Sequence, residues 1–423
     1  MAHILKRFLK YLLYFISSSI VLIAGIFAYL IWLQPAFYFP KPTGQYAVGI
    51  KTYHWVDTKR KETLADDPAH PNRELMVNIW YPAQGKLAEK PTTPYAPYFL
   101  NYRNKNKTKT WLMLYARPKY SYAKFDVALS TDVAQFPVII FSHGYGGTRD
   151  SNTVHCEELA SHGYIVIGIS HTYDSCIVQF PDGRIIDGLK SIKKRKILKN
   201  FELEHYNELE IWTSDVRFVL DQLKELANKK NSIFYQRLDQ EHIGMFGHSY
   251  GGATTTQICR IDSRIKAGVN LDGPLFGLEP TKKFDKPFMF LLAEDTVKVV
   301  NRQWTHADQK TFNIYLLDVE NVFKLRYLPA IKKLSQSMEH DIYTFVIKNA
   351  GHMAFSDHAL TSYESTCSRF LGDFGTGLIN GFRVTEIVNA YLVKFFDKYL
   401  KGQPSELLDG KNMKYPEVEA KQW

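Results

Sequence analysis

Ile243-Gly244-Met245-Phe246-Gly247-His248-Ser249-Tyr250-Gly251-Gly252 runs from a short apolar stretch, through a glycine-flanked serine, into a helix-compatible segment over residues 251–259. In that setting a G-x-S-x-G pattern builds a tight strand-to-helix turn. The glycines let the backbones approach closely, and the serine hydroxyl stands exposed at the edge of a sheet. The helix N-terminus that follows favours negative charge developing nearby. Ser249 is therefore the candidate nucleophile.

A serine hydroxyl attacks well only when a base takes its proton. When the serine sits on such a turn, chain order places the base late, after an intervening acid. His352 fits, because it follows an apolar run at 342–347 and the turn residues Asn349-Ala350-Gly351. Two aspartates compete to orient it. Asp272 ends the run at 265–271, and Asp295 ends the next run at 287–292. Bare architecture slightly prefers Asp295. An oxyanion needs two backbone N–H donors. Tyr250, next to the serine, is one candidate. Tyr145, in the glycine-rich loop Ser142-His143-Gly144-Tyr145-Gly146-Gly147, is the other. No Walker lysine follows that loop, so a phosphate cradle is not expected.

Further strand-like runs lie at 46–55 and 75–80, which read as an opening antiparallel pair, and at 138–141 and 164–169. Continuous apolar strands suit a parallel sheet covered on both faces. Residues 207–226 carry Leu209, Trp212, Val216, Val219, Leu220 and Leu223 at helical spacing. Residues 385–400 do the same with Ile387, Val388, Tyr391, Leu392, Phe395 and Phe396. The alternation predicts an α/β fold of the α/β-hydrolase type, a mostly parallel doubly wound sheet with helices on both faces. Its catalytic domain is expected over 46–401, with insertions near 84–135, 176–206 and 296–340 and a tail at 402–423. The second insertion holds the basic residues Lys190, Lys193, Lys194, Arg195, Lys196 and Lys199. They read as a solvated charged face or as a contact for anionic lipid.

Residues 11–33 read YLLYFISSSIVLIAGIFAYLIWL, and no charge falls between Lys10 and Lys41. As a helix this stretch spans about 34 Å, enough for a hydrocarbon core of about 30 Å. Lys6, Arg7 and Lys10 precede it, which places residues 1–10 in the cytoplasm and the body outside. An uncleaved signal anchor is expected, with a cleaved signal peptide or a buried soluble helix as alternatives. Residues 34–45, with Pro35, Pro40, Pro42 and Gly44, read as a linker. The net charge of +10 suits an anionic membrane surface. No nucleic-acid-binding motif accompanies it, so no nucleic-acid partner is expected. Cys156, Cys176, Cys259 and Cys367 show neither C-x-x-C nor zinc spacing. They are compatible with one or two disulfides or with isolated thiols.

These motifs resemble the platelet-activating factor acetylhydrolases, the group VII A-type phospholipases, and their bacterial relatives. The matching stretches are 141–147, 159–166, 247–254, 271–273 and 351–357, with Val77-Asn78-Ile79-Trp80-Tyr81-Pro82 matching the family's early strand. The resemblance covers about residues 45–400. It implies Ser249 as nucleophile, Asp272 as acid and His352 as base, reversing the architectural preference for Asp295, and it puts Tyr145 and Tyr250 at the oxyanion positions. It implies hydrolysis of short or oxidised acyl groups from phospholipids, without calcium, metal or other cofactor. Phospholipid or a small ester is then the expected substrate. The alternatives are a general carboxylesterase, a dienelactone-hydrolase-like, polyester-cleaving or peptidase member of the same fold, and a non-catalytic binding protein.

Overall fold

The computed structural model describes residues 2–32, 37–65, 67–96, 119–188, 190–192, 201–275, 284–301, 331–332, 334, 341–363, 375–409 and 414–421. Most of the insertion expected at 296–340, residues 97–118 of the one expected at 84–135 and most of the basic run fall outside them, as does Cys367.

A ten-stranded sheet forms the body. In chain order its strands are β1 (Ala47–Lys61), β2 (Asn72–Ala83), β3 (Lys124–Phe125), β4 (Phe136–Ser142), β5 (Ile165–Ser170), β6 (Leu238–His248), β7 (Ile265–Leu271), β8 (Phe288–Ala293), β9 (Ile342–Ile347) and β10 (Val418–Ala420). Across the sheet they lie in the order β10-β9-β8-β7-β6-β4-β5-β2-β1-β3. From β9 to β5 every pairing is parallel, while β1–β2, β2–β5 and β9–β10 are antiparallel. The sheet is thus mixed, with a parallel centre.

Alternation along the strands explains why both faces are covered. Successive side chains point to opposite faces, so in β4 Val138 and Ile140 enter one core and Ile139 and Phe141 the other. The first core takes Val216, Val219, Leu220 and Leu223 of helix α3 (Phe201–Asn228) and Ile258 of α4 (Tyr250–Ile261). The second takes Leu159 and Ala160 of α2 (Thr153–Ser161), and Ile387, Val388, Phe395 and Phe396 of α6 (Gly381–Lys401). Helix α6 begins four residues before its apolar stripe. The Asn380 side chain caps it by accepting from the Phe382 and Arg383 N–H groups, a contribution of about 1 kcal/mol. It ends at Gly402, whose φ of 67° closes the last turn.

Two segments differ from their sequence readings. The linker at 34–45 is partly built into the body: Phe37–Tyr38 pairs with Lys119–Ser121, and Phe37 and Phe39 are buried. Gly44 N–H donates to Ser161 Oγ, and Thr43 N–H to Glu158 Oε2. Prolines limit regular pairing here to the two residues Phe37 and Tyr38, but the aromatic residues between the prolines still gain by burial. The stretch beyond 401 is likewise no free tail. Val418–Ala420 adds an edge strand, Leu408 and Tyr415 enter the core, and Arg383 pairs with Glu417 through two hydrogen bonds of 2.8 and 3.0 Å. Within the second insertion, Ile177–Gln179 and Ile185–Asp187 form a hairpin.

Helix α1 (Ala2–Trp32) contains a 21-residue window, Lys6–Ile26, of mean hydropathy 1.8, none of it buried. A helix in a soluble core would hide such a surface. The Ser18 and Ser19 hydroxyls bond back to the carbonyls of Tyr14 and Phe15 at 2.7 and 2.8 Å, removing their polarity from the helix surface.

The register sets up the site. Gly247 of β6 stands opposite Ser142 of β4 and Asn270 of β7, Leu271 opposite Leu291, and Ala293 opposite Ile347. The carboxyl ends of five strands thus share one edge. From β4 the chain steps one way to β5 and then returns to the other side for β6. The crevice between β4 and β6 is therefore a switch point of the kind where open α/β sheets place their ligands.

Candidate active site

Ser249 sits between the end of β6 and the start of α4, with φ 55° and ψ −121°. A non-glycine residue with positive φ is uncommon and costs about 1–3 kcal/mol. The neighbouring glycines make the turn feasible. A Cβ on Gly247 would fall 2.1 Å from the Gly251 carbonyl oxygen, and one on Gly251 would fall 2.0 Å from the Ser142 carbonyl oxygen. Ser249 N–H bonds Leu271 O at 2.9 Å, which ties the turn to the neighbouring strand.

His352 follows β9 and opens a short 3-10 turn, His352–Phe355. Its Nε2 lies 2.9 Å from Ser249 Oγ, and its Nδ1 lies 2.7 Å from Asp272 Oδ2. A carboxylate only accepts, so the Nδ1 proton faces Asp272, leaving Nε2 free to accept from the serine. Ser249 and His352 are half-exposed, whereas Asp272 is completely buried.

Asp272, with φ 52°, is another strained residue at a strand end. Its Oδ1 accepts from Ala293 N–H at 2.9 Å, and its Oδ2 accepts from the Thr296 hydroxyl at 2.6 Å as well as from His352. Asp295 lies elsewhere, in the first turn of α5 (Glu294–Asn301), where its backbone N–H donates to Ala350 O at 3.1 Å. The bare-architecture preference for Asp295 therefore does not match the geometry: the carboxylate on His352 Nδ1 is that of Asp272, at the end of the earlier strand. The residues flanking Asp295 brace the site instead. Thr296 bonds Asp272, and Glu294 Oε2 accepts from Asn349 N–H at 2.8 Å, steadying the turn before His352. Sequence reasoning missed both roles, since nothing in a local pattern connects these residues to partners 24 and 55 positions away.

The loop after β4 lies against the serine. A Cβ on Gly144 would come within 3.1 Å of Ser249 Cβ. The Tyr145 and Tyr250 rings lie 5.6 Å apart, and both pack on Trp212 of α3. His248, just before the serine, lies 2.9 Å from the His352 carbonyl oxygen through its Nε2. Burial, with the neighbouring His352 adding to it, lowers its pKa to about 3. It is neutral at ordinary pH and its Nε2–H donates, holding the backbone of His352.

Among the described residues no group of three or more histidines, cysteines or carboxylates is arranged to hold a metal ion. Cys156, Cys176 and Cys259 are free thiols, and burial raises the pKa of each.

A serine on a strand-to-helix turn, joined through a histidine to a buried aspartate, defines a serine hydrolase of the α/β class. The family described as platelet-activating factor acetylhydrolase, isoform II, matches residues 33–412, and the chain belongs to that family. It is 26% identical to a probable 1-alkyl-2-acetylglycerophosphocholine esterase of Arthroderma benhamiae, over 91% of this chain and 94% of that protein. It is 27% identical to the platelet-activating factor acetylhydrolase of Cavia porcellus, where the match spans only 60% of each chain. Among solved structures, a ferulic acid esterase from Streptomyces cinnamoneus superposes with a TM-score of 0.68 at 27% identity, covering 91% of this chain and 99% of that one. The protein is a carboxylic ester hydrolase acting through serine chemistry.

Proposed function

We propose that Ser249, His352 and Asp272 are nucleophile, base and acid of an α/β-hydrolase that removes short or oxidised acyl groups from phospholipid-like esters. The single strongest support is the unbroken chain Ser249 Oγ–His352 Nε2 (2.9 Å) and His352 Nδ1–Asp272 Oδ2 (2.7 Å) at the switch point of the sheet. As Ser249 Oγ attacks the ester carbonyl carbon, its proton passes to His352 Nε2, and the imidazolium is stabilised by Asp272. The backbone N–H groups of Tyr145 and Tyr250 receive the oxyanion. Collapse of the tetrahedral adduct sends the His352 proton to the departing alkoxide and leaves an acyl group on Ser249. Water, activated by the same histidine, then releases the acid.

The choice of substrate rests on the relatives, which are named for acetylated glycerophosphocholine ethers and platelet-activating factor. Acetyl to butyryl p-nitrophenyl esters are expected to turn over roughly tenfold or more faster than palmitoyl esters, the discrimination a pocket gains from a few misfitting methylenes. A platelet-activating-factor-like lipid should be cleaved with or without a chelator. Preference for palmitoyl chains, or for a feruloyl ester such as the structural neighbour's name suggests, would overturn this assignment while leaving the serine chemistry intact.

We also infer that α1 anchors the protein in a membrane, with the catalytic body outside the cytoplasm. Its support is the 21-residue window, the cluster of Lys6, Arg7 and Lys10 at its N-terminal end ahead of the uncharged stretch from residue 11, and the lack of burial along it. The protein is expected to stay in the membrane fraction after alkaline carbonate washing and to be digested by protease added to spheroplasts. A mature chain beginning near residue 37 would identify a cleaved signal peptide instead.

A further inference from the structure

Behind the loop that carries Tyr145 lies a second Ser–His–Asp arrangement. Ser142 Oγ is 2.9 Å from His171 Nε2, and His171 Nδ1 is 2.9 Å from Asp215 Oδ2. All three residues are completely buried, so no ester reaches them. Asp215 also accepts from Arg73 at 2.7 and 3.1 Å and from Arg60 at 2.8 Å. Burial alone would raise the Asp215 carboxyl; Arg73 and the His171 N–H overcome it and hold the group well below the usual carboxylate range. Burial in turn keeps His171 neutral, outweighing the attraction of Asp215. A neutral ring with its proton on Nδ1 can only accept at Nε2, so the Ser142 hydroxyl donates.

His143 rests directly on this arrangement. Its Nε2 accepts from the His171 backbone N–H at 3.3 Å and from the Ser175 hydroxyl at 2.7 Å. The proton of the neutral His143 ring therefore sits on Nδ1, which lies 2.7 Å from the Gly144 carbonyl oxygen. That oxygen also accepts from Gly147 N–H at 2.7 Å. Trp212 closes the stack, 3.8 Å from the His171 ring and 5.1 Å from the His143 ring, with its Nε1–H bonded to Asp174 at 2.8 Å. In a trans peptide the C=O of one residue and the N–H of the next point in opposite directions. Two donors holding the Gly144 carbonyl inward thus fix the Tyr145 N–H on the other side.

We propose that the buried Ser142–His171–Asp215 array is a positioning device: by seating His143 it turns the Gly144–Tyr145 peptide so that the Tyr145 N–H faces the oxyanion formed at Ser249. This rests on the reading of Tyr145 as an oxyanion donor. His143 is then a positioning residue and touches no substrate. The peptide plane is set before substrate arrives, so nothing needs to reorganise when charge develops.

The test compares His143→Leu with His143→Asn in the full-length protein. The asparagine Nδ2–H2 stands where the Nδ1–H stood and can still donate to the Gly144 carbonyl. With p-nitrophenyl butyrate, the leucine variant is expected to lose about 10²-fold in kcat with KM within about threefold, the pattern of a lost transition-state interaction. Its affinity for a trifluoromethyl ketone that forms an oxyanion adduct should fall by a similar factor. The asparagine variant is expected to recover most of both. Equal losses in the two variants, or an undiminished kcat in His143→Leu, would overturn the proposal. If the leucine variant does not fold, Ser175→Ala serves in its place. Losing one donor to His143 Nε2 should lower kcat by about tenfold at unchanged KM, and an unchanged kcat would overturn the proposal. Should Ser249→Ala remain active, the underlying reading of the site fails instead, so the two failures are separable.

Discussion

Ser249→Ala is expected to lower ester turnover by on the order of 10⁶, as loss of a serine nucleophile does elsewhere, while the fold stays intact. The alanine takes over a half-exposed position whose strained backbone does not depend on the hydroxyl. Among the described residues Oγ bonds His352 Nε2, and the His352 side chain keeps 28% of its surface exposed. Water can therefore replace the lost bond, and no buried polar group is left unpaired. Parallel assays of p-nitrophenyl butyrate hydrolysis and thermal midpoint check both halves of this expectation. Wild-type turnover in the variant would refute the nucleophile.

The second large effect is at Asp272, and it separates the two aspartates that looked alike in the sequence. In the wild type, Oδ1 is committed to Ala293 N–H and Oδ2 to Thr296 and His352. An asparagine keeps the Ala293 bond only by turning its amide nitrogen toward His352. That nitrogen donates, so the imidazole must move its proton to Nε2, where it can no longer accept from Ser249. An amide replacing a triad acid in this way lowers turnover by about 10⁴. Asp295→Asn leaves the backbone bond to Ala350 in place and is expected to cost about tenfold or less. Turnover numbers for the two variants on one substrate decide the matter, and the reverse order would move the acid to Asp295.

Much of this is legible in the sequence. Ser249 announced itself because strand, glycine turn and helix are local in sequence. The sheet was legible because a strand buried on both faces must be apolar throughout, as 138–141 and 243–246 are. The acid was not legible in the same way. Asp272 and Asp295 both end strands, and only the positive φ of Asp272, together with donors from Ala293 and Thr296, aims one carboxylate at His352. Such backbone strain is paid for by tertiary contacts and leaves no local pattern. The same holds for Ser142, His171 and Asp215, separated by 29 and 44 residues. A histidine near a β-strand end has no sequence signature that tells a buried brace from an active-site base. Residues 34–45 and 402–423 misled for a simpler reason: proline and charge signal irregular backbone, but they say nothing about whether that backbone is pinned to the core.

The central claim, acyl transfer through Ser249, is tested most directly by a fluorophosphonate probe followed by peptide mapping. The phosphonyl group should be found on Ser249 alone, at one per chain, with labelling abolished in Ser249→Ala and strongly slowed in Asp272→Asn. Labelling at any other serine, or undiminished labelling of the alanine variant, would contradict it.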